Sequence, residues 1–471
     1  MNKQMPNMTL KNIAKACDGT YIGAAELEEK VICGAVIDSR LVEEDYLFIP
    51  IKGERVDGHN FIPQVFEKGA CCVLSEIELE NPAGPYIRVD SSEEALKKIA
   101  AFYRQSLSIK VVGISGSVGK TSTKEMISSV ISQKYKVHKT AGNFNNEIGL
   151  PLTVFGIRAE HEVAILEMGI SDFNEMHRLA TVANPDICVI TNIGLCHLEN
   201  LGTRDGILKA KTEMFDHMRK GGLAILNGDD NKLSTKTFVN GRDTVFYGFD
   251  AEAKADEDGI LMVEKAIYAT DVMNLGFEGM EAVIHTPQGA FKTNITIPGE
   301  HNVYNALAAT AVGLELGLSL EEIKKGIEEA KTIAGRTNLV KANGMNVIDD
   351  CYNANPVSME AAMDVLSHAK GRTIAVLGDM GELGEDEKAL HFGVGKCVAE
   401  KKIHTVFCAG TLAAEYKAGV ESVENECKVF HFENKDDMIT ELLSYVKEGD
   451  NILIKASHFM DFPKVVEALT K

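Results

Sequence analysis

Nowhere does this sequence hold the run of about 18 apolar residues that crossing a bilayer as a helix requires. Its opening stretch, MNKQMPNMTLKNIAKACDG, lacks the apolar block of a secretory signal. From these two absences we expect a cytoplasmic protein with no membrane insertion. Basic excess is missing too: 49 Lys and Arg stand against 69 Asp and Glu, a formal charge of −20. A protein that lives on nucleic acid or anionic lipid needs a basic footprint, so neither partner is expected. Any anionic substrate must be met by local lysines, arginines and backbone amides. Ten cysteines occur without CxxC spacing, Cys71 and Cys72 being adjacent and the others far apart. That pattern supplies neither a zinc knuckle nor a disulfide framework, and reduced core thiols are expected. Internal repeats and low-complexity tracts are absent as well, so domain boundaries have to come from the order of elements.

What is present is ordinary in bulk: 471 residues, 45% hydrophobic and 25% charged, the composition of a soluble chain long enough for two or three domains. After a helix-like TLKNIAKA, the brief strands VICGAVID, YLFIPI and CCVLSE suggest a small α/β domain over 1–107. The helix-period segment SEEALKKIAAFYRQSL leads out of it. From residue 108 the apolar runs IKVVGIS, EVAILEMGI, DICVITNIG and LAILNGD alternate with stretches rich in Ala, Lys and Glu. Near-continuous apolar strands divided by helices imply a mainly parallel sheet covered on both faces, here a central domain over 108–332 that ends with the helix HNVYNALAATAVGLELG. NVIDDCYNA, TIAVLGDM, TVFCAG, KVFHFEN and NILIKAS then start a second open α/β sheet over 333–471. The predicted fold class is therefore α/β in three domains.

GISGSVGKTSTKEM, residues 113–126, places Gly113, Gly116 and Gly119 ahead of a Lys-Thr pair. The strict Walker spacing would put glycine at Ile114, so the match is physical rather than literal. A strand runs into glycines and then into a helix, so amides of Gly116, Ser117, Val118, Gly119 and Ser122 can surround phosphate at a helix start. Lys120 would reach the β and γ phosphates of ATP, and the Thr121 hydroxyl would hold Mg²⁺. The alternative is a glycine-rich turn with an exposed lysine. Glu167 lies near the C-terminal end of the strand VAILEMGI, and His197 lies beyond the next strand, where open α/β sheets gather ligands. Each alone can be structural; at the ends of successive strands they become candidate metal ligands. In DGILKAKTEMFDHM, Ile207, Leu208, Met214, Phe215 and Met218 form a helical stripe that includes Lys211 and leaves out Lys209. An inward lysine loses hydration, its amine becomes neutral more readily, and CO₂ can convert it to a carbamate. Alternatively it snorkels past its own methylenes.

The stretches GSVGKTSTKE, TAGNFNNEIGLPLT, HLENLGT, ILKAKTE, GEHNVYNALAA, DDCYNANPVSM and AVLGDMGELG, with the N-terminal DSR and LFIPIKGERVDGHNFI, resemble the Mur ligases of peptidoglycan synthesis across nearly the whole chain. The resemblance implies an N-terminal UDP-sugar-binding domain, a central P-loop ATPase and a C-terminal Rossmann-like domain. It also implies the branch that adds D-Ala-D-Ala to UDP-MurNAc-tripeptide through an acyl phosphate. In that family the lysine matching Lys211 is carbamylated, and with Thr121, Glu167 and His197 it makes the magnesium set. Asn302, Arg336 and Asp350 match residues that hold ATP across two domains. Ser39 and Arg40 match the uridine-binding stretch, and Asn145, Asn146, Asn353 and Asn355 fall on substrate-side loops. A monomer is expected. Cys196 stands where alanine is usual. A sister ligase, either the tripeptide-forming enzyme or folylpolyglutamate synthase, is the rival. The tripeptide-forming enzyme that adds diaminopimelate usually carries Asn-Pro-Arg in its last domain, whereas NANPVS here has no such arginine.

Overall fold

Three sheets succeed one another along the chain in the computed structural model, which describes residues 4–252 and 262–471. The first has five strands in the order Thr20–Ile22, Tyr86–Arg88, Ala70–Ser75, Tyr46–Phe48, Gly34–Val36. Only the pairing of Thr20–Ile22 with Tyr86–Arg88 is antiparallel. Of the expected strand VICGAVID only Gly34–Val36 joins the ladder. The two strands missed by sequence reading are three residues each, too short to show a period.

Helix Ser92–Ser106 fastens this unit to the next. Ser91 caps it by accepting from the Glu94 amide, and its inward face is Ala95, Leu96, Ile99, Ala100 and Tyr103. Burying each of the larger apolar side chains contributes roughly 1.5–3 kcal/mol. Two polar groups on the same face fix the orientation: Tyr103 donates to the Ile157 carbonyl at 2.7 Å and the fully buried Arg104 to the Ala183 carbonyl at 3.0 Å.

The central sheet holds nine strands in the order Gly289–Ile295, Met280–Thr286, Ile267–Asn274, Val245–Phe249, Leu223–Asn227, Ile187–Ile190, Lys110–Ser115, Val163–Glu167, Val137–Lys139. Pairings from Val137–Lys139 through Ile267–Asn274 are parallel, as the apolar runs predicted. The last two strands form an antiparallel meander that the sequence reading did not anticipate. There Met280, Ala282 and Ile284 alternate with wetter residues, the pattern of a sheet covered on one face. Helices Lys120–Ile131 and His301–Glu315 pack together over the parallel part, burying Ile127, Val130, Val303 and Leu307.

The third sheet orders its six strands Asn338–Ala342, Met345–Asp349, Asn451–Lys455, Thr373–Gly378, Thr405–Ala409, Lys428–Phe432. Its first pair is antiparallel and the rest parallel. Every residue of Thr373–Gly378, Thr405–Ala409 and Asn451–Lys455 is buried, which is why those runs read as unbroken apolar stretches. None of the ten cysteines is in a disulfide and seven are buried, as expected of core thiols. Among the described residues no helix is long and apolar enough to cross a membrane.

Candidate active site

Carboxyl ends of strands from the central and third sheets border one cleft of about 930 Å³. Its floor is the loop after strand Lys110–Ser115. Gly116 adopts φ +148°, where a Cβ would collide with the Thr191 hydroxyl, and Gly119 adopts φ +83° as the N-cap of helix Lys120–Ile131. Asn192 holds the loop open. Its carbonyl accepts from the Ser117 amide and its side-chain oxygen from the Val118 amide, each at 3.0 Å, while its Nδ2 donates to the Val118 carbonyl. The unpaired amides at the start of the helix, with its dipole, favour an anion at this point. Lys120 folds back to donate to the Gly116 carbonyl at 2.8 Å. Burial lowers its pKa, and Glu167 opposes that shift.

Glu167 meets one other candidate metal ligand, Thr121, directly. Its Oε1 accepts from the Thr121 hydroxyl at 3.2 Å and from Asn145 Nδ2 at 2.8 Å. Its Oε2 is buried with no hydrogen-bond partner among the described residues, the nearest cation being Lys124 Nζ at 3.6 Å. Lys211 is 1% exposed on helix Arg204–Thr212, and its Nζ likewise has no hydrogen-bond partner among the described residues. Burial, and secondarily the Lys120 charge, bring its pKa down from 10.5 to about 7, while Cys196 pulls the other way. Lys209 points out over the Phe173 ring, as the stripe predicted. The stripe itself bends: the α-helix stops at Thr212 and a 3₁₀ turn, Glu213–His217, carries Met214 inward.

No cluster of three or more His, Cys, Asp or Glu suited to a metal ion occurs among the described residues. The set Thr121, Glu167, His197 and Lys211 therefore suits Mg²⁺ only if the lysine becomes anionic. The orphaned carboxylate oxygen and the orphaned amine, its pKa lowered to about 7, fit that requirement.

The third sheet contributes the opposite wall. Arg336 Nη2 donates to the Thr121 hydroxyl at 3.3 Å while its guanidinium stacks 3.9 Å from the centre of the Tyr352 ring. Asp350 accepts from Lys455 Nζ at 2.7 Å and from the Thr337 amide. Asn355 caps helix Pro356–Ser367 through the Ser358 amide, and its Nδ2 lies 3.3 Å from Cys196 Sγ. His197, in the left-handed region at φ +59°, pairs through Nδ1 with Glu382 Oε2 at 2.9 Å. Asn145, Asn146 and Asn353 also border the cleft.

Three sequence candidates lie elsewhere. Asn302 sits behind the wall, donating to the Pro298 carbonyl and accepting from Asn305, which in turn accepts from the Thr123 hydroxyl. Ser39 and Arg40 belong to the first sheet's unit; Arg40 pairs with Asp38 at 2.6 Å and its side chain is 85% exposed. Sequence reading missed Asn192, Asp229, Tyr304, Lys455 and Glu382, all of which border the cleft. Asp229 lies two residues past the strand LAILN, a position at a parallel strand's carboxyl end that was legible. It accepts from Lys265 Nζ at 2.7 Å, the Phe249 amide at 2.6 Å and the Tyr304 hydroxyl at 3.1 Å.

Family models match the chain in three blocks: the Mur ligase family catalytic domain over 32–104, the Mur ligase middle domain over 114–313 and the Mur ligase glutamate ligase domain over 335–458. The UDP-N-acetylmuramoyl-tripeptide–D-alanyl-D-alanine ligase of Bacillus subtilis is 38% identical, over 99% of each chain. A crystal structure of MurF from Acinetobacter baumannii superimposes with a TM-score of 0.87 at 31% identity, over 98% of each chain. MurF ligase from Thermotoga maritima, solved with ADP, gives 0.79 at 28% identity, covering 93% of this chain and 96% of its own.

Proposed function

Because this chain belongs to the Mur ligase family, we propose that it is the ATP-dependent ligase that joins D-Ala-D-Ala to UDP-MurNAc-tripeptide, giving UDP-MurNAc-pentapeptide, ADP and phosphate in peptidoglycan precursor synthesis. The observation that carries the reading is end-to-end likeness to a relative of that name, at 38% identity over 99% of both chains. On this reading the enzyme is a cytoplasmic monomer of three domains, 1–107, 108–332 and 333–471, and the first of them takes the uridine end of the substrate near Ser39 and Arg40.

The chemistry has two displacements. A carboxylate oxygen of the tripeptide attacks the γ-phosphorus of ATP, the bond to the β-phosphate oxygen breaks, and ADP leaves with an acyl phosphate formed. The dipeptide amine, once it has lost a proton, attacks the acyl carbon; inorganic phosphate leaves and an amide remains. The first step brings two anions together, so its barrier is electrostatic. Lys120, at the mouth of the glycine loop, neutralises transferring phosphate oxygens by turning from the Gly116 carbonyl toward them. Arg336 approaches the same point from the other domain, already within 3.3 Å of Thr121. Thr121, Glu167, His197 and the carbamate of Lys211 would hold Mg²⁺, which when bound adds positive charge at the phosphates. The carbamate forms as neutral Lys211 Nζ adds to CO₂ and releases a proton, a reaction made accessible by a pKa of about 7. Asp350, braced by Lys455, and the stacked Arg336 give nucleotide contacts on one side of the cleft and Lys120 on the other, so binding ATP favours the closed arrangement that keeps water from the acyl phosphate.

The test is phosphate release from ATP with magnesium, UDP-MurNAc-tripeptide and D-Ala-D-Ala. Release should require both acceptor and donor. Release without the dipeptide, or equal turnover with a free amino acid in its place, overturns the reading, the latter in favour of a sister ligase.

A further inference from the structure

The cleft holds cations suited to phosphates and carboxylates: Lys120, Arg204, Arg336 and Lys455. The second substrate of the proposed reaction, a dipeptide, arrives with an ammonium group, which needs an anion. Five carboxylates border the cleft, and four are already committed. Glu167 is buried among Thr121, Asn145 and Lys124. Asp229 is spent on Lys265, Tyr304 and the Phe249 amide. Asp230 accepts from the amides of Ile193, Lys232 and Leu233. Asp350 is held by Lys455 and the Thr337 amide. Glu382 differs: its side chain is 65% exposed, and among the described residues its ion-pair partner is His197 at 2.9 Å.

The loop carrying Glu382 is built to aim it. Met380 and Leu383 on either side are buried, and Gly381 donates to the Ser457 hydroxyl at 2.9 Å. Glu382 itself is held at φ +60°, a conformation uncommon for a residue with a Cβ. Its partner His197 has φ +59°. Two unfavourable backbone conformations thus face each other across the cleft where the domains meet. An ion pair as open as this one contributes little to stability, so stability does not account for them. Helix Pro356–Ser367 begins beside the same cleft, with Val357 and Ala361 presenting small apolar surface.

We propose that Glu382 is the specificity-determining anchor for the ammonium of the incoming dipeptide, exchanging its contact with His197 for one with the acceptor. The proposal rests on the functional reading above. Glu382→Gln retains a hydrogen-bond acceptor for His197 and removes the charge. The variant should form acyl phosphate, captured with hydroxylamine, as the wild type does, while KM for D-Ala-D-Ala rises on the order of tenfold, the loss expected for a hydrogen bond to a charged group. Propanoyl-D-alanine, which lacks the amine, should inhibit wild type and variant with the same Ki. Glu382→Asp should recover part of the lost affinity for the dipeptide. An unchanged KM in the Gln variant overturns the proposal, and so does an equal loss of acyl-phosphate capture, which would make Glu382 a domain latch. A Ki for propanoyl-D-alanine that rises with the KM overturns it as well. If the wild type itself shows no dipeptide-dependent turnover, the functional reading falls and the anchor with it. Normal wild-type turnover with an unshifted variant removes the anchor alone.

Discussion

Replacing Lys211 by methionine should make the protein more stable and inactive at once. The native fold holds this amine 1% exposed with a pKa of about 7 against 10.5 in an unstructured chain. At about 1.4 kcal/mol per pKa unit, keeping it protonated in the fold costs about 5 kcal/mol. Below pH 7 both folded and unfolded chains carry the proton and the full cost is present. Between pH 7 and 10.5 the unfolded chain binds the proton and the native one does not, so this group's contribution to stability improves with rising pH. Methionine, similar in length and uncharged, has no such dependence. In CO₂-depleted buffer, urea unfolding at about pH 7.5 should therefore show Lys211→Met ahead of wild type, with the gap closing by about 2 kcal/mol at about pH 9. Bicarbonate should then stabilise wild type and leave the variant unmoved, because only the lysine can add CO₂. Turnover should be lost in Lys211→Met; in Lys211→Ala, where the side chain leaves room, acetate or formate should restore part of it. Parallel pH profiles for the two proteins, or full activity in either variant, would refute the reasoning.

Lys120→Ala should lose the chemical step, acyl-phosphate capture falling by at least about a hundredfold, while titration with UDP-MurNAc-tripeptide shows binding retained. A matched loss of binding would contradict the assignment of the two ends of that substrate to different domains. Gly116→Ala drives a Cβ into the Thr191 hydroxyl from φ +148° and should lower unfolding free energy by about 1–3 kcal/mol and weaken ATP binding; an unaltered nucleotide affinity would mean that the loop tolerates the side chain.

Features of this site written in one contiguous segment differ physically from those assembled from distant ones. The glycine loop is contiguous, and each part of it, from strand to glycines to helix start, announces itself locally. Lys211 was legible because helical period alone turns it inward, away from Lys209. Arg336 and Asp350 carry no local signal and were reached only through motif resemblance. Asn192 and Glu382 were missed for a further reason: each matters through a partner far along the chain. Asn192 lies 74 residues from the Val118 amide that it holds. Asn302, reached through the same resemblance, has its side-chain oxygen engaged by Asn305 in this structure. The antiparallel meander escaped because its alternating strands, one face wet, break the pattern of continuous apolar runs by which the parallel strands were found. Residues that bind through backbone shape can be read one segment at a time. Those that bind by convergence acquire their meaning only when the carboxyl ends of two sheets are brought together, and in this protein that meeting places the orphaned carboxylate and the arginine around a single hydroxyl-bearing turn.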